Sequence, residues 1–474
     1  MKRLSTADAG FEAAFRALVL DARETTARVD AAVAEIIAEV RARGDDALCE
    51  LTRRFDRTPL TPDRLRVTPD EIEAATAAVS PALLDALDLA ARRIEAFHRA
   101  QLPQDLRMVD EAGLTLGMRW TALDAVGLYV PGGKAAYPSS VLMNALPARV
   151  AGVGRIAMCV PAPDGVLNPL VLAAARRAGV SEVYRVGGAQ AVAALAYGTA
   201  TIAPVDRIVG PGNAYVAEAK RQVFGQVGID SIAGPSEVVI LADEANDARR
   251  VAVDLLAQAE HDESAQSILI TTDPAFADRV AAAVEAEIPT LSRAAIAGAS
   301  WRDHGAVIVT RDWEEAADLT NRLAPEHLQV MVPDAEELFA RVRHAGAAFL
   351  GAHCPEAVGD YVAGPNHVLP TGRTARFASG LSVFDFLKRT TWVAADAEAL
   401  GRVGPAAVAL AEAEGLQAHA RSVALRLGQS GPESGPESGP ESGPESGPGG
   451  DETSGRGRGP RGDRDAPAET GART

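Results

Sequence analysis

Seven of the chain's eight histidines lie between His261 and His419. Four of them stand in segments rich in acids and amides. These are Gln258-Ala259-Glu260-His261, Pro325-Glu326-His327, the stretch from Gly359-Asp360 to Asn366-His367, and the stretch from Glu414 to His419. Imidazoles grouped with carboxylates can hold a metal, run acid–base chemistry, or do both. Gln258 and His261 end an apolar-periodic stretch (Val251, Leu255, Leu256) that Asp247 can cap. Their spacing of three predicts an amide and an imidazole on one helix face. Glu326 and His327 follow Ala324-Pro325, and a proline there biases the backbone to a defined turn. Adjacent side chains do not share a face, so one can activate water while the other takes a substrate proton. Asp360 and His367 belong to a loop rich in Gly and Pro, where polar groups are held for use. Glu414 and His419 lie in a helical stretch, 405–427, and share no helix face unless Gly415 breaks it. Gln258, His261, Asp360 and His419 together offer nitrogen and oxygen donors for a borderline metal such as zinc, although glutamine is an unusual zinc ligand. Each fragment taken alone also reads as a solvated helix end or a surface turn.

Three glycine-rich loops add a second chemistry. Pro131-Gly132-Gly133-Lys134, Val186-Gly187-Gly188-Ala189-Gln190 and Val209-Gly210-Pro211-Gly212-Asn213 each follow a strand-like run. Backbone N–H groups where a strand gives way to a helix attract phosphate. None has the G-x-G-x-x-G spacing of the usual dinucleotide fingerprint. Three such loops at the C-terminal ends of neighbouring strands would nevertheless form one crevice, the place where doubly wound folds bind nucleotides.

The elements that must position these residues can be read from periodicity. Helical spacing dominates the first hundred residues, as in 30–40 and 82–97. Short β-rich runs then alternate with alanine-rich helices: 125–130, 154–161, 182–186 and 206–209 read as strands, and so do 238–241, 266–271, 306–310 and 328–332. That alternation predicts parallel sheets with crossover helices. The fold class is α/β, with two Rossmann-like doubly wound units. The expected organisation is a helical region over 1–125, α/β units over 126–236 and 237–378, a helical segment over 379–428, and a tail over 429–474. The tail contains four Gly-Pro-Glu-Ser repeats and can bury almost nothing, so disorder is expected there.

Composition excludes several classes. A formal net charge of −17 does not suit a nucleic-acid surface. No long uncharged apolar run predicts a membrane helix, and the first residues lack the apolar stretch of a secretory signal. The cysteines, Cys49, Cys159 and Cys354, are three and widely spaced, which argues for a reducing cytoplasm. Cys354 lies near Asp360 and is a conceivable soft ligand.

The motifs together resemble the histidinol dehydrogenase family. The resemblance runs through the segment from Gly127 to Ala145, then Val209 to Lys220, Ile232 to Val238, Gln258 to Asp262, Ala324 to Leu328, and Gly359 to Thr371. It covers about residues 5–427. It implies oxidation of L-histidinol to L-histidine in two NAD-dependent steps through a bound aldehyde. It implies one zinc ion per subunit, on Gln258, His261, Asp360 and His419, which accounts for the glutamine. Glu326 and His327 match the family's acid–base pair. Ser236, Gln258, His261, His327, Asp360, Glu414 and His419 match substrate contacts, and His367 is a further one. Tyr129, Gln190 and Asn213 match the NAD positions. The family forms an intertwined homodimer whose C-terminal segment crosses to the partner, so Glu414 and His419 would complete the partner's site.

Overall fold

The structure is a computed structural model that describes residues 1–21, 29–132, 137–232 and 234–429. From residue 430 onward the repeat tail lies outside them, and so do Gly133 and Lys134 of the first glycine loop. The chain divides into two compact units. One is Met1–Val109 with Thr115–Ala394; the other is Asp110–Leu114 with the described residues from Ala395 onward.

The first unit contains both α/β blocks as separate parallel sheets. In the first sheet the strand order is Glu182–Tyr184, Arg155–Cys159, Ala125–Tyr129, Arg207–Val209, Gly228–Ile229. All neighbours are parallel. Alternate residues of one strand serve opposite faces, as the two-residue period of a strand requires. Val126 and Leu128 join the core beneath the helices Pro81–Arg99, Pro138–Ala151 and Pro169–Ala178. Ala125 and Tyr129 join the opposite core, against Val29–Arg43, Gly188–Tyr197 and Ala214–Val223. The sheet is therefore doubly wound. The chain moves outward in one direction from Ala125–Tyr129, then returns to that strand's other side as Arg207–Val209. The switch point of the topology lies between those two strands, where a crevice opens.

The second sheet runs Lys2–Ser5, Ala306–Val309, Gln266–Thr271, Glu237–Ala242, His327–Met331, Ala347–Leu350, again all parallel. Val238 and Ile240 face the helices Ala248–Ala259 and Pro274–Glu287, whereas Val239 and Leu241 face Phe11–Val19 and Trp313–Leu323. The strand Lys2–Ser5 is a difference from the expected helical start. It takes the edge of a sheet otherwise built from residues after 236, and Thr6 Oγ1 donates to Glu315 Oε2 at 2.6 Å beside it. A third sheet, antiparallel, joins Leu387–Ala394 to Thr115–Ala122 and Leu106–Val109. The segment 379–428 thus holds a strand as well as helices.

The second unit is a helix pair. Asp396 caps Ala397–Ala413 by accepting the Ala399 N–H at 2.8 Å, a contact worth about 1 kcal/mol. Gly415, at φ +72°, ends that helix, and Gln417–Ala424 follows. The two helices pack closely at Gly404, where an added Cβ would lie 3.2 Å from Val423 Cγ1.

Candidate active site

Functional side chains gather at two edges of the first unit. The first is the C-terminal edge of the first sheet. Tyr129 ends a strand there, and its hydroxyl accepts the Gly188 N–H at 3.1 Å. Gly210 has φ +116°, and an added Cβ would lie 2.1 Å from the Tyr129 carbonyl oxygen. Only glycine lets the backbone pass this close. Lys220 and Asp230 hold the loop from beneath as a buried ion pair. Lys220 Nζ donates to the Gly210 carbonyl at 3.0 Å, and Asp230 Oδ2 accepts the Gly210 N–H at 2.7 Å. Asn213 caps the next helix by accepting the N–H groups of Tyr215 and Val216 at 3.1 and 3.2 Å. Tyr129, Gln190 and Asn213 line one cavity of about 420 Å³.

The second edge breaks the usual rule for parallel sheets, since it is formed by the N-terminal ends of the strands. His327 begins its strand, in register with Val238 and Ala347. The helix Ala248–Ala259 returns against the sheet, so its last turn carries Gln258 to the same edge. Gln258 Oε1 lies 3.0 Å from His327 Nδ1, and Gln258 Nε2 lies 3.0 Å from His261 Nδ1. Glu326 Oε2 accepts the Glu237 N–H at 3.1 Å and a bond from the Ser236 hydroxyl. Asp360 stands on the short helix Glu356–Tyr361, with Oδ1 3.9 Å from His327 Nε2. His367 Nδ1 donates to the Asp360 carbonyl at 2.9 Å. Ser236, His261, Glu326, His327, Asp360 and His367 all line a second cavity, of about 440 Å³. Asn213 borders both cavities.

The protonation pattern follows from burial. His327 Nδ1 faces two acceptors, Gln258 Oε1 and the Glu237 carbonyl at 3.2 Å. It therefore carries the ring proton of the neutral imidazole, which leaves Nε2 as a lone pair. Desolvation pushes the His327 pKa down to about 3 and that of His367 to about 4, so both rings are neutral near pH 7. Desolvation also raises Glu326 well above the usual carboxyl range, with Glu237 and Asp360 adding repulsion, and raises Asp360 to about 6. The neutral His327 ring thus offers an open Nε2 lone pair, and the carboxyls beside it have a raised affinity for protons.

Over residues 20–427 the chain matches the family described as histidinol dehydrogenase. It belongs to the histidinol dehydrogenase family. It is 67% identical over 427 residues to the histidinol dehydrogenase of Gluconobacter oxydans, which covers 90% of this chain and 99% of that protein. Identity to the Rhodospirillum rubrum protein of the same name is 62% over 428 residues, covering 90% of this chain and 99% of the relative. The crystal structure of histidinol dehydrogenase from Elizabethkingia anophelis superposes with a TM-score of 0.87 at 35% identity, covering 90% of this chain and 98% of that one.

For this member of the histidinol dehydrogenase family, the donor set fits a metal ion. His327 Nε2 and Glu356 Oε2 are buried without a hydrogen-bond partner. His327, Glu356 and Asp360 bring ligand-type atoms within 4.8 Å of one another. Of the ligands that the resemblance implies, only Asp360 is in that group; Gln258 adjoins it through its contacts with His327 and His261. Cys354 is not in that group. Glu356 is a residue the motifs did not reveal. It is 3% exposed, and its Oε1 lies 3.5 Å from His327 Nδ1. The available signal was its spacing of four from Asp360, one turn of helix. Asp254 was also missed; it is partly buried and accepts from Gln329 Nε2 at 2.7 Å. Glu414 and His419 belong to the second unit, at the end of one helix and within the next, and both are exposed.

Proposed function

We propose that this chain oxidises L-histidinol to L-histidine through L-histidinaldehyde, the last reaction of L-histidine biosynthesis, with zinc and NAD. The observation that carries the reading is the 440 Å³ cavity in which Glu326, His327, His261 and Asp360 meet the end of a glycine loop. Zinc, when bound, supplies a Lewis-acidic anchor for the substrate's imidazole and amine. Gln258, His261 and Asp360 would hold it, with His419 from a second copy as the fourth donor. NAD, when bound, accepts hydride from the carbinol carbon and later from the hydrated aldehyde; Tyr129, Gln190 and Asn213 would hold it.

The remaining work falls to side chains of this chain. His327 Nε2 takes the hydroxyl proton as the alcohol becomes the aldehyde. The Nδ1–H bonds to Gln258 and the Glu237 carbonyl keep the accepting nitrogen turned to the cavity. Glu326 takes a proton from the water that adds to the aldehyde carbon, and its raised proton affinity makes it a stronger base than an exposed carboxylate. Ser236 and His367 flank this pair, contact the substrate, and with Gln258 close the site to bulk water.

The exposed Glu414 and His419 fit a homodimer in which each C-terminal helix pair completes the other subunit's site. Three free cysteines accord with a cytoplasmic setting. Purified, zinc-loaded protein given L-histidinol and NAD should release two NADH for each histidine formed. No NADH above background would end this reading; one NADH with free aldehyde would remove the second step.

A further inference from the structure

The mechanism leaves one charged group unused. Asp56 ends the helix Asp45–Asp56 and is 8% exposed. Among the described residues lining the 420 Å³ cavity with Tyr129, Gln190 and Asn213, it is the only one with a carboxyl, ammonium or guanidinium group; burial raises its pKa above the ordinary aspartate value, opposed by the Ala162 N–H and Arg57. Its Oδ2 accepts the Ala162 N–H at 3.3 Å, and its carboxylate is close enough to bear on the Tyr129 hydroxyl. Among the described residues no guanidinium is bonded to it. The neighbouring Arg57 directs Nε and Nη2 at Asp164, at 2.8 and 2.6 Å. Asp56 is thus a partly desolvated anion facing an open cavity whose other walls are apolar or neutral, including Ile36 and Phe55.

The two cavities fix what such an anion can meet. They share Asn213, and the proton-accepting pair lies in the other one. A dinucleotide with its reacting ring near His327 therefore extends past Asn213 and the N-terminus of the helix Gly188–Tyr197. Its far nucleoside then lies between Ile36, Phe55 and Asp56. A ribose presents two adjacent O–H donors, and a carboxylate presents two acceptors at matching spacing. A ribose 2′-phosphate would instead set a second anion against Asp56, with no cation among the described residues of the cavity wall to offset it.

We propose that Asp56 binds the hydroxyls of the adenosine ribose of NAD and excludes the 2′-phosphate of NADP. This rests on the reading of the crevice as an NAD site. A hydrogen bond to a charged group corresponds to about 10- to 100-fold in affinity.

The test is titration calorimetry on the full-length, zinc-loaded protein without histidinol, using NAD, its 2′-deoxyadenosine analogue and NADP. The parent should bind NAD about 10-fold or more above the deoxy analogue, and above NADP by a wider margin. In Asp56→Asn, which keeps an acceptor for Ala162, the preference over the deoxy analogue should shrink severalfold. NADP should move at least tenfold toward NAD. Asp56→Ala should erase both preferences; if it fails to fold, Asp56→Asn decides. Because the ratios compare ligands differing at one ribose position, a general loosening of the cavity would leave them unchanged. Unchanged ratios in folded Asp56→Asn overturn the assignment of Asp56. A parent that binds none of the three overturns the NAD reading itself.

Discussion

Replacing Lys220 with methionine tests how the glycine loop is held. Lys220 and Asp230 are 3% and 4% exposed, so their attraction is little weakened by water. Asp230 Oδ1 accepts the Ser231 N–H at 2.7 Å, and Oδ2 accepts the Gly210 N–H. Lys220→Met fills nearly the same volume, so the cavity contribution is small. It leaves Asp230 as a buried anion without its cation and removes the donor to the Gly210 carbonyl. Breaking one side of a buried pair costs about 3–5 kcal/mol. Urea unfolding of the intact protein, at fixed metal and without NAD, should therefore show a loss of that size. NAD affinity should fall about tenfold or more, because Gly210 carries the loop leading to Asn213. Lys220→Met with Asp230→Asn removes both charges and keeps one amide oxygen as acceptor, so one of the two N–H groups loses its partner. The pair should recover about 2 kcal/mol relative to the sum of the single losses. A loss below about 1 kcal/mol in Lys220→Met, or strict additivity in the double variant, would refute the claim that this pair carries the loop.

Other expectations can be checked independently. His327→Asn should slow alcohol oxidation by about 10²–10⁴ while Glu326→Gln mainly slows oxidation of supplied histidinaldehyde; rapid-mixing NADH traces that show equal slowing of both halves would contradict the division of labour. Mixing His261→Asn and His419→Asn subunits after exchange should restore part of the activity if sites are shared, and none if each chain uses its own His419. Burial works against ionisation of Glu315, yet bonds from the Arg311 side chain, the Arg311 N–H and Thr6 outweigh it and hold the carboxyl at about 2. Because the folded value lies below the unfolded one, the stabilisation is full above about pH 4.5 and fades as pH falls toward 2. Discounted for the exposure of Arg311, Glu315→Gln should cost about 1–2 kcal/mol at pH 7 and progressively less below pH 4.5, read as urea midpoints.

What the sequence disclosed depended on whether the physics was local. Runs such as Val238–Leu241 and Ile268–Ile270 are apolar without interruption because both faces of a parallel strand are buried, and they were legible for that reason. The strand Lys2–Ser5 is short, carries two basic residues, and gains its partner about three hundred residues later, at Ala306–Val309. Nothing in its neighbourhood distinguishes it from a loop. The strand Leu387–Ala394 is hidden likewise, since it is largely exposed and pairs with Thr115–Ala122. Glu356 escaped notice because an acid in a turn of helix normally faces water, and only the approach of His327 shows that this one does not.

The least local fact is the direction of the second site. Gln258 and His327 are separated by 69 residues and by two intervening strands along the chain, yet their side chains meet at 3.0 Å. They meet because the helix Ala248–Ala259 runs back along the sheet, so that its C-terminus arrives where the strand His327–Met331 begins. The cavity lined by Tyr129, Gln190 and Asn213 uses the opposite, C-terminal edge of its own sheet. A base placed on the N-terminal edge of one sheet can face a ligand held on the C-terminal edge of another, and Asn213 at the border of both cavities is where the two edges come together. That juxtaposition explains why neither half carries a complete motif: each sheet supplies only one wall, and the chemistry requires both.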